Sequence, residues 1–168
     1  LVASGGVDGQ VRLFDINTSR TTTVHSDRTS PVTSVSIMPS RTMLYSAGFD
    51  RCVRLWDLES QVQIREHRGH TGGILKTCLV VEHKDHLILS SSTDDTVKLW
   101  DTRAPQHVES LCLESMAFDM TPVHGIHIYA MGCQDGCIRF CDLRKTSATS
   151  VPLETVAMHS KAIMSLCY

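Results

Sequence analysis

At 168 residues the chain has room for one compact domain with a sizeable core, and its 42% apolar and 20% charged content is that of an ordinary globular protein. A net charge of −2 with no cluster of Lys and Arg excludes an electrostatic footprint for nucleic acid or an anionic membrane. No apolar run approaches the roughly 18 residues that span a bilayer, and seven cysteines without a small-scaffold spacing point to reduced thiols of the cytosol or nucleus rather than a disulfide framework.

The chain opens at Leu1 without a charged-then-apolar leader, so no targeting signal is read. A short apolar strand, LVAS (1–4), leads through a tight turn to DGQVRLFD (8–15). The sequon Asn17-Thr18-Ser19 follows and would matter only in a secreted protein. Next come PVTSVSI (31–37), MLYS (43–46) and DRCVRLWD (50–57), then a weaker strand, VQIREH (62–67). The same succession returns as ILKTCLV (74–80), LILS (87–90), DDTVKLWD (94–101) and HVESLCL (107–113). It returns again as IYAM (128–131) and DGCIRFCD (135–142), and AIMSLCY (162–168) has first-strand character once more.

The four Asp-led blocks align without gaps, with their first aspartates 42, 44 and 41 residues apart. Three residues after the Asp stands Val11, Val53, Val97 or Ile138, and two further on Leu13, Leu55, Leu99 or Phe140. Between them lies a cation each time: Arg12, Arg54, Lys98 and Arg139. This alternation predicts strands with one face in a core. Four antiparallel strands per period, with no helical pattern between them, predict one propeller blade per repeat.

On these residues the sequence resembles a WD-repeat β-propeller along its whole length. Repeat three is the best match, opened by Gly69-His70 and closed by Leu99-Trp100-Asp101. The resemblance implies a blade-rigidifying network of His70, Ser90, Asp94 and Trp100, because a buried imidazole, hydroxyl and indole N–H must each find a partner. Repeat two keeps Ser46, Asp50 and Trp56 but has Arg28 at the His position. Repeat four lacks the His and replaces Ser and Trp by Met131 and Cys141, so its blade is expected to be the least rigid of the complete ones. The expected fold is all-β, a partial WD-repeat propeller over 1–168 with three complete four-stranded blades plus parts of two more, and blade ends near 26, 68, 112 and 158. Because such propellers commonly close with seven blades, about 300 residues at this period, the chain is expected to be a fragment. The rival expectation is a tight four-bladed ring closed by the last strand on the first hairpin.

Cys133, Cys137 and Cys141 stand four residues apart, a spacing that would gather ligands on a helix but not on a hairpin. They fall in strand columns also held by Gly, Thr or aromatic residues, so they read as small core hydrophobes. The pairs His67/His70, His83/His86 and His124/His127 meet the same objection as zinc ligands. No nucleophile elbow, phosphate loop or dinucleotide fingerprint is present. No catalytic, metal or cofactor residue is assigned, and an enzyme or metal-binding protein is the weakest reading.

Propellers of this family serve as rigid interaction platforms, with function on loops and rims. The resemblance implies a non-catalytic protein–protein interaction scaffold within a multiprotein complex, in cytoplasm or nucleus. Its partners would be proteins or peptides, with no direct nucleic acid, membrane or small molecule. Two consecutive repeats continue as Asp101-Thr102-Arg103 and Asp142-Leu143-Arg144. These resemble the paired boxes by which substrate receptors dock onto adaptors of cullin–RING ubiquitin ligases, and an arginine fork suits such an interface. Alternatively each Arg merely pairs with a nearby acid. The top rim offers Phe49, Arg51, Thr93 and Asp95, with Phe49 as an anchor.

Overall fold

The computed structural model describes residues 1–26, 29–80, 86–104, 106–123, 127–143 and 152–167. Its secondary structure is strand throughout, in four antiparallel sheets whose strands pair in chain order. Blade 1 has three strands, β1 (Val2–Gly5), β2 (Gln10–Asp15) and β3 (Arg20–Ser26). Blade 2 has four, β4 (Val32–Ile37), β5 (Met43–Gly48), β6 (Cys52–Asp57) and β7 (Gln63–Arg68). Blade 3 comprises β8 (Ile74–Leu79), β9 (Leu87–Ser92), β10 (Thr96–Asp101) and β11 (His107–Cys112). Blade 4 comprises β12 (Ala117–Val123), β13 (Ile128–Cys133), β14 (Cys137–Asp142) and β15 (Glu154–Ala157). The first strands β4, β8 and β12 lie side by side, so the blades fan out from a common inner wall. Inner-strand contacts run from β1 to β4, β4 to β8 and β8 to β12, and among the described residues no contact of comparable extent links blade 4 back to blade 1.

Apolar residues of neighbouring blades interlock between each pair of sheets. Val11 and Leu13 of blade 1 meet Leu44 and Trp56 of blade 2. Tyr45, Val53 and Leu55 of blade 2 meet Ile74, Ile88 and Trp100 of blade 3. Leu89, Val97 and Leu99 of blade 3 meet Ala117, Tyr129, Met131 and Cys141 of blade 4. Each blade therefore turns its Trp column to the preceding blade and its Val/Leu column to the following one.

That stacking modifies the half-buried strand read from alternation. In β6, Cys52 and Trp56 on one face are 1% and 4% exposed, and Val53 and Leu55 on the other are 0% and 3% exposed. A sheet between two neighbours has no solvent face, so the cation column is enclosed as well. Arg54 reaches Asp50 and, at 3.0 Å, Glu66, while Arg139 holds Asp135 with two bonds of 3.0 and 2.6 Å.

Two segments differ from the sequence reading. Strand β12 was not legible, because Asp119 and Pro122 interrupt its pattern. Asp119 is nonetheless buried, and it is satisfied by Lys76 at 3.1 Å, Leu166 N–H at 2.9 Å and the Ser165 hydroxyl at 3.1 Å. Residues 162–167, expected as a strand, carry no ladder. They lie along blade 4 instead, with Ile163 N–H donating to the Cys133 carbonyl at 3.0 Å, much as Val32 N–H donates to Gly6 across blades 1 and 2.

The hairpin turn after the second strand of each repeat ends on a left-handed residue: Gly9, Arg51, Asp95 and Gly136, with φ of 71°, 69°, 59° and 81°. Gly136 has no room for a side chain, since a Cβ there would lie 2.1 Å from the His159 carbonyl oxygen. Arg51 holds the same conformation against the steric penalty of about 1–2 kcal/mol that a side chain meets there. Gly136→Ala is therefore expected to lower stability by more than about 1 kcal/mol, and Arg51→Gly to raise it by up to about 1 kcal/mol. Urea midpoints of the two variants against the parent protein check both signs.

Candidate docking rims and the blade network

In blade 3 the Trp100 indole N–H donates to Ser90 Oγ at 2.7 Å, and Ser90 Oγ lies 2.8 Å from His70 Nε2. His70 Nδ1 lies 2.9 Å from Asp94 Oδ2, which also accepts from Thr71 N–H at 2.8 Å. The Thr96 hydroxyl donates to Asp94 Oδ1 at 2.6 Å. One proton arrangement satisfies every member. The ionised Asp94 can only accept, so Nδ1 carries the imidazole hydrogen and Nε2 accepts from Ser90, whose oxygen is filled by Trp100. Burial pushes the His70 pKa down, which keeps the ring neutral and Nε2 open. Burial would raise Asp94, but hydrogen bonds from Thr96, His70 and Thr71 hold it well below the usual carboxylate range. Around Trp100 the rings of His67 and His107 pack at centroid distances of 5.6 Å each.

The other blades solve the same problem differently. In blade 2 the pair survives, with Trp56 N–H donating to Ser46 Oγ at 2.9 Å, but Asp50 is turned to Arg54. Arg28 lies outside the described residues. In blade 4 the set is apolar: Met131 and Cys141 are buried with Sδ and Sγ 3.8 Å apart, and buried Leu113 stands at the His position. Asp135 pairs with Arg139, as Asp8 of blade 1 pairs with Arg12 at 2.7 Å. Sequence reasoning took the cation column for a polar face and missed this division. The signal was the one lysine. Lys98 bonds Ser110 at 2.9 Å, and among the described residues the Asp of that repeat alone is held by a histidine.

Cys133 and Cys141 are buried and Cys137 partly so, with the Cys133 thiol donating to the Met131 carbonyl at 3.6 Å. Burial pushes the Cys133 thiol up and the Cys141 thiol to about 12, so neither offers a thiolate. Among the described residues no group of three or more His, Cys, Asp and Glu is placed to hold a metal. His83 and His124 lie outside the described residues.

On one rim, Arg103 is 66% exposed and grips Asp101 in a fork, Nε and Nη2 at 2.9 and 2.7 Å, while its N–H caps Asp101 at 2.8 Å. That guanidinium holds Asp101 down to about 2. Asp15 and Asp57 cap the same turn through Asn17 N–H at 2.9 Å and Ser60 N–H at 2.7 Å, so the column's first duty is turn geometry. Asp142 ends β14 opposite Ile128, and Arg144 lies outside the described residues. On the opposite rim Phe49 is 48% exposed, and a Cβ on Gly73 would meet its ring at 2.2 Å. Exposed Arg51 stands two residues on, its guanidinium unpaired among the described residues. Thr93 and Asp95 are exposed on the same rim one blade on.

Two predictions arise from the blade 3 network. Ser90→Ala orphans both the Trp100 and His70 partners and is expected to cost roughly 2–4 kcal/mol, read from urea midpoints. His70 and Asp94 both have folded pKa values below their ordinary 6.5 and 3.8. Their contributions are therefore complete above those values and are lost as pH falls. Stability should drop in two stages, below pH 6.5 and again below pH 3.8; His70→Asn should abolish the upper stage and, by removing one of the groups that hold Asp94 down, shrink the lower one.

The model of the WD domain, G-beta repeat family matches residues 17–57 and 61–101. The chain is 31% identical over 172 aligned positions to the target of rapamycin complex subunit wat1 of Schizosaccharomyces pombe, covering 98% of this chain and 53% of that protein. It is 27% identical over 156 positions to pre-mRNA-splicing factor cwf17 of the same yeast, covering 89% and 44%. It is 30% identical over 119 positions to THO complex subunit 3 of Arabidopsis thaliana, covering 68% and 37%. The chain thus spans about half, or less, of the length of these curated relatives. Repeats, stacked four-stranded blades and these likenesses together place the chain in the WD-repeat family.

Proposed function

We propose that the protein is a non-catalytic interaction scaffold that holds other proteins or peptides within a multiprotein complex of the cytoplasm, the nucleus or both. The relatives support the class, since wat1 and THO complex subunit 3 are named as complex subunits. The observation that carries it to a surface is the turn of blade 2. There an exposed Arg51, unpaired among the described residues, is kept in a left-handed conformation beside a half-exposed Phe49 seated over Gly73. Strain kept at an exposed turn points to use, and an aromatic ring beside a free arginine fork is the chemistry of an interface hot spot. A peptide offering an apolar side chain and a carboxylate would fit it. Nucleic acid, membrane and small molecules are not expected as direct ligands.

A second reading has one specific support. Asp101 holds Arg103 in a fixed, exposed fork, so its remaining N–H groups are oriented for a partner before contact, as a receptor for a cullin–RING ligase adaptor would need.

Affinity purification followed by mass spectrometry separates the two. Phe49→Ala is expected to weaken capture of the principal partner about 30-fold, the equivalent of roughly 2 kcal/mol, while leaving the urea midpoint nearly unchanged. The Arg103→Ala/Arg144→Ala pair should leave that partner bound. If instead it alone abolishes recovery of a ligase adaptor, the receptor reading holds. Unaltered capture by Phe49→Ala and Arg51→Gly would remove the top-rim reading.

A further inference from the structure

Blade 3 supplies a template against which blade 2 is incomplete. In both, the Trp N–H fills a serine oxygen, Trp100 to Ser90 and Trp56 to Ser46. Ser90 then meets His70 Nε2. Ser46, equally buried, has no second partner among the described residues, so its hydroxyl hydrogen lacks an acceptor. Asp50, the counterpart of Asp94, also lacks an imidazole partner and bonds Cys52 N–H at 3.2 Å and the Arg54 guanidinium. Between these groups lies a cavity of about 10 Å³ lined by Ser46, Asp50, Arg54, Ser30, Pro31 and Gly48. The cavity sits where His70 sits in blade 3, against the serine, the turn Asp and the chain entering the first strand.

A buried hydroxyl without an acceptor costs about 1–3 kcal/mol. A polar void of about 10–15 Å³ with two or more partners is what a single ordered water requires. Blade 4 has no such need, because Leu113, Met131 and Cys141 replaced the polar set together. We propose that blade 2 binds one structural water in this cavity, which accepts from Ser46 and bridges toward the Asp50–Arg54 pair, doing there what His70 does in blade 3.

Water-to-protein cross-relaxation, read at the two indole N–H resonances of the protein, tests this with an internal control. The Trp56 indole should show a long-lived water signal relayed through the Ser46 hydroxyl, and the Trp100 indole, whose serine faces His70, should show none. A high-resolution crystal structure should place a density peak within about 2.7–3.2 Å of Ser46 Oγ. Ser46→Val, which leaves no hydroxyl, should abolish the cross-relaxation signal at Trp56. An empty cavity, the Arg28 side chain filling it, or equal water signals at both indoles would overturn the proposal.

Discussion

The stacking of each blade's aromatic column on the Val/Leu column of the blade before it is the contact from which the rest of this architecture follows. Trp100 is fully buried against Tyr45, Val53 and Leu55 of the neighbouring sheet. Removing so large a side chain from water stabilises on the order of 2–3 kcal/mol. The same burial creates a liability, because an indole N–H taken out of water must find an acceptor. Ser90 meets it, but a serine that accepts must itself be able to donate. His70 Nε2 accepts the Ser90 hydroxyl's hydrogen bond, and Asp94 accepts the one from Nδ1–H on the far side of the ring. The polar network is thus a consequence of apolar packing, and it ties the entry of the first strand to the central hairpin of its blade.

The other blades show that the requirement is for satisfaction rather than for a particular residue. Blade 4 removed donor and acceptors together, so Met131, Cys141 and Leu113 leave nothing orphaned. Replacing a whole polar set by apolar groups of similar shape is nearly neutral, whereas losing one member is not. The turn Asp, deprived of its histidine, is then held by the arginine four residues on in blades 1, 2 and 4. Blade 2 alone keeps half of each solution, the Trp56–Ser46 pair with an arginine-held Asp.

A blade enclosed on both faces by its neighbours leaves its rims free to vary. Side chains that stack between blades are constrained by two neighbours, but exposed turn residues such as Arg51 and Arg103 answer mainly to turn geometry. Arg51 and Arg103 illustrate the two ways of presenting a guanidinium there. The first has no ion-pair partner among the described residues and sits on a left-handed turn, and the second is held in a fork by its own aspartate. Neither is tied to the core.

The repeat period, the strand character of its segments and the identity of the stacking columns were legible in the sequence. Alternation of Val, Leu and aromatic residues at fixed distance from an Asp depends on local geometry alone. Strand β12 was hidden, because Asp119 and Pro122 look wrong for a strand until Lys76, Ser165 and the Leu166 N–H are brought to the carboxylate from elsewhere in the chain. The cation column was misread for a related reason. Alternation suggests a solvated face, and only the stacking of a second sheet makes Arg54 and Arg139 interior ion-pair partners of the turn aspartates. Cys133 and Cys141 pack with Met131 in the core between blades 3 and 4, as small hydrophobes do. Sequence by itself determined the module and its order; tertiary structure decided which polar group each module leaves to its neighbours, since that depends on atoms brought close only when blades stack.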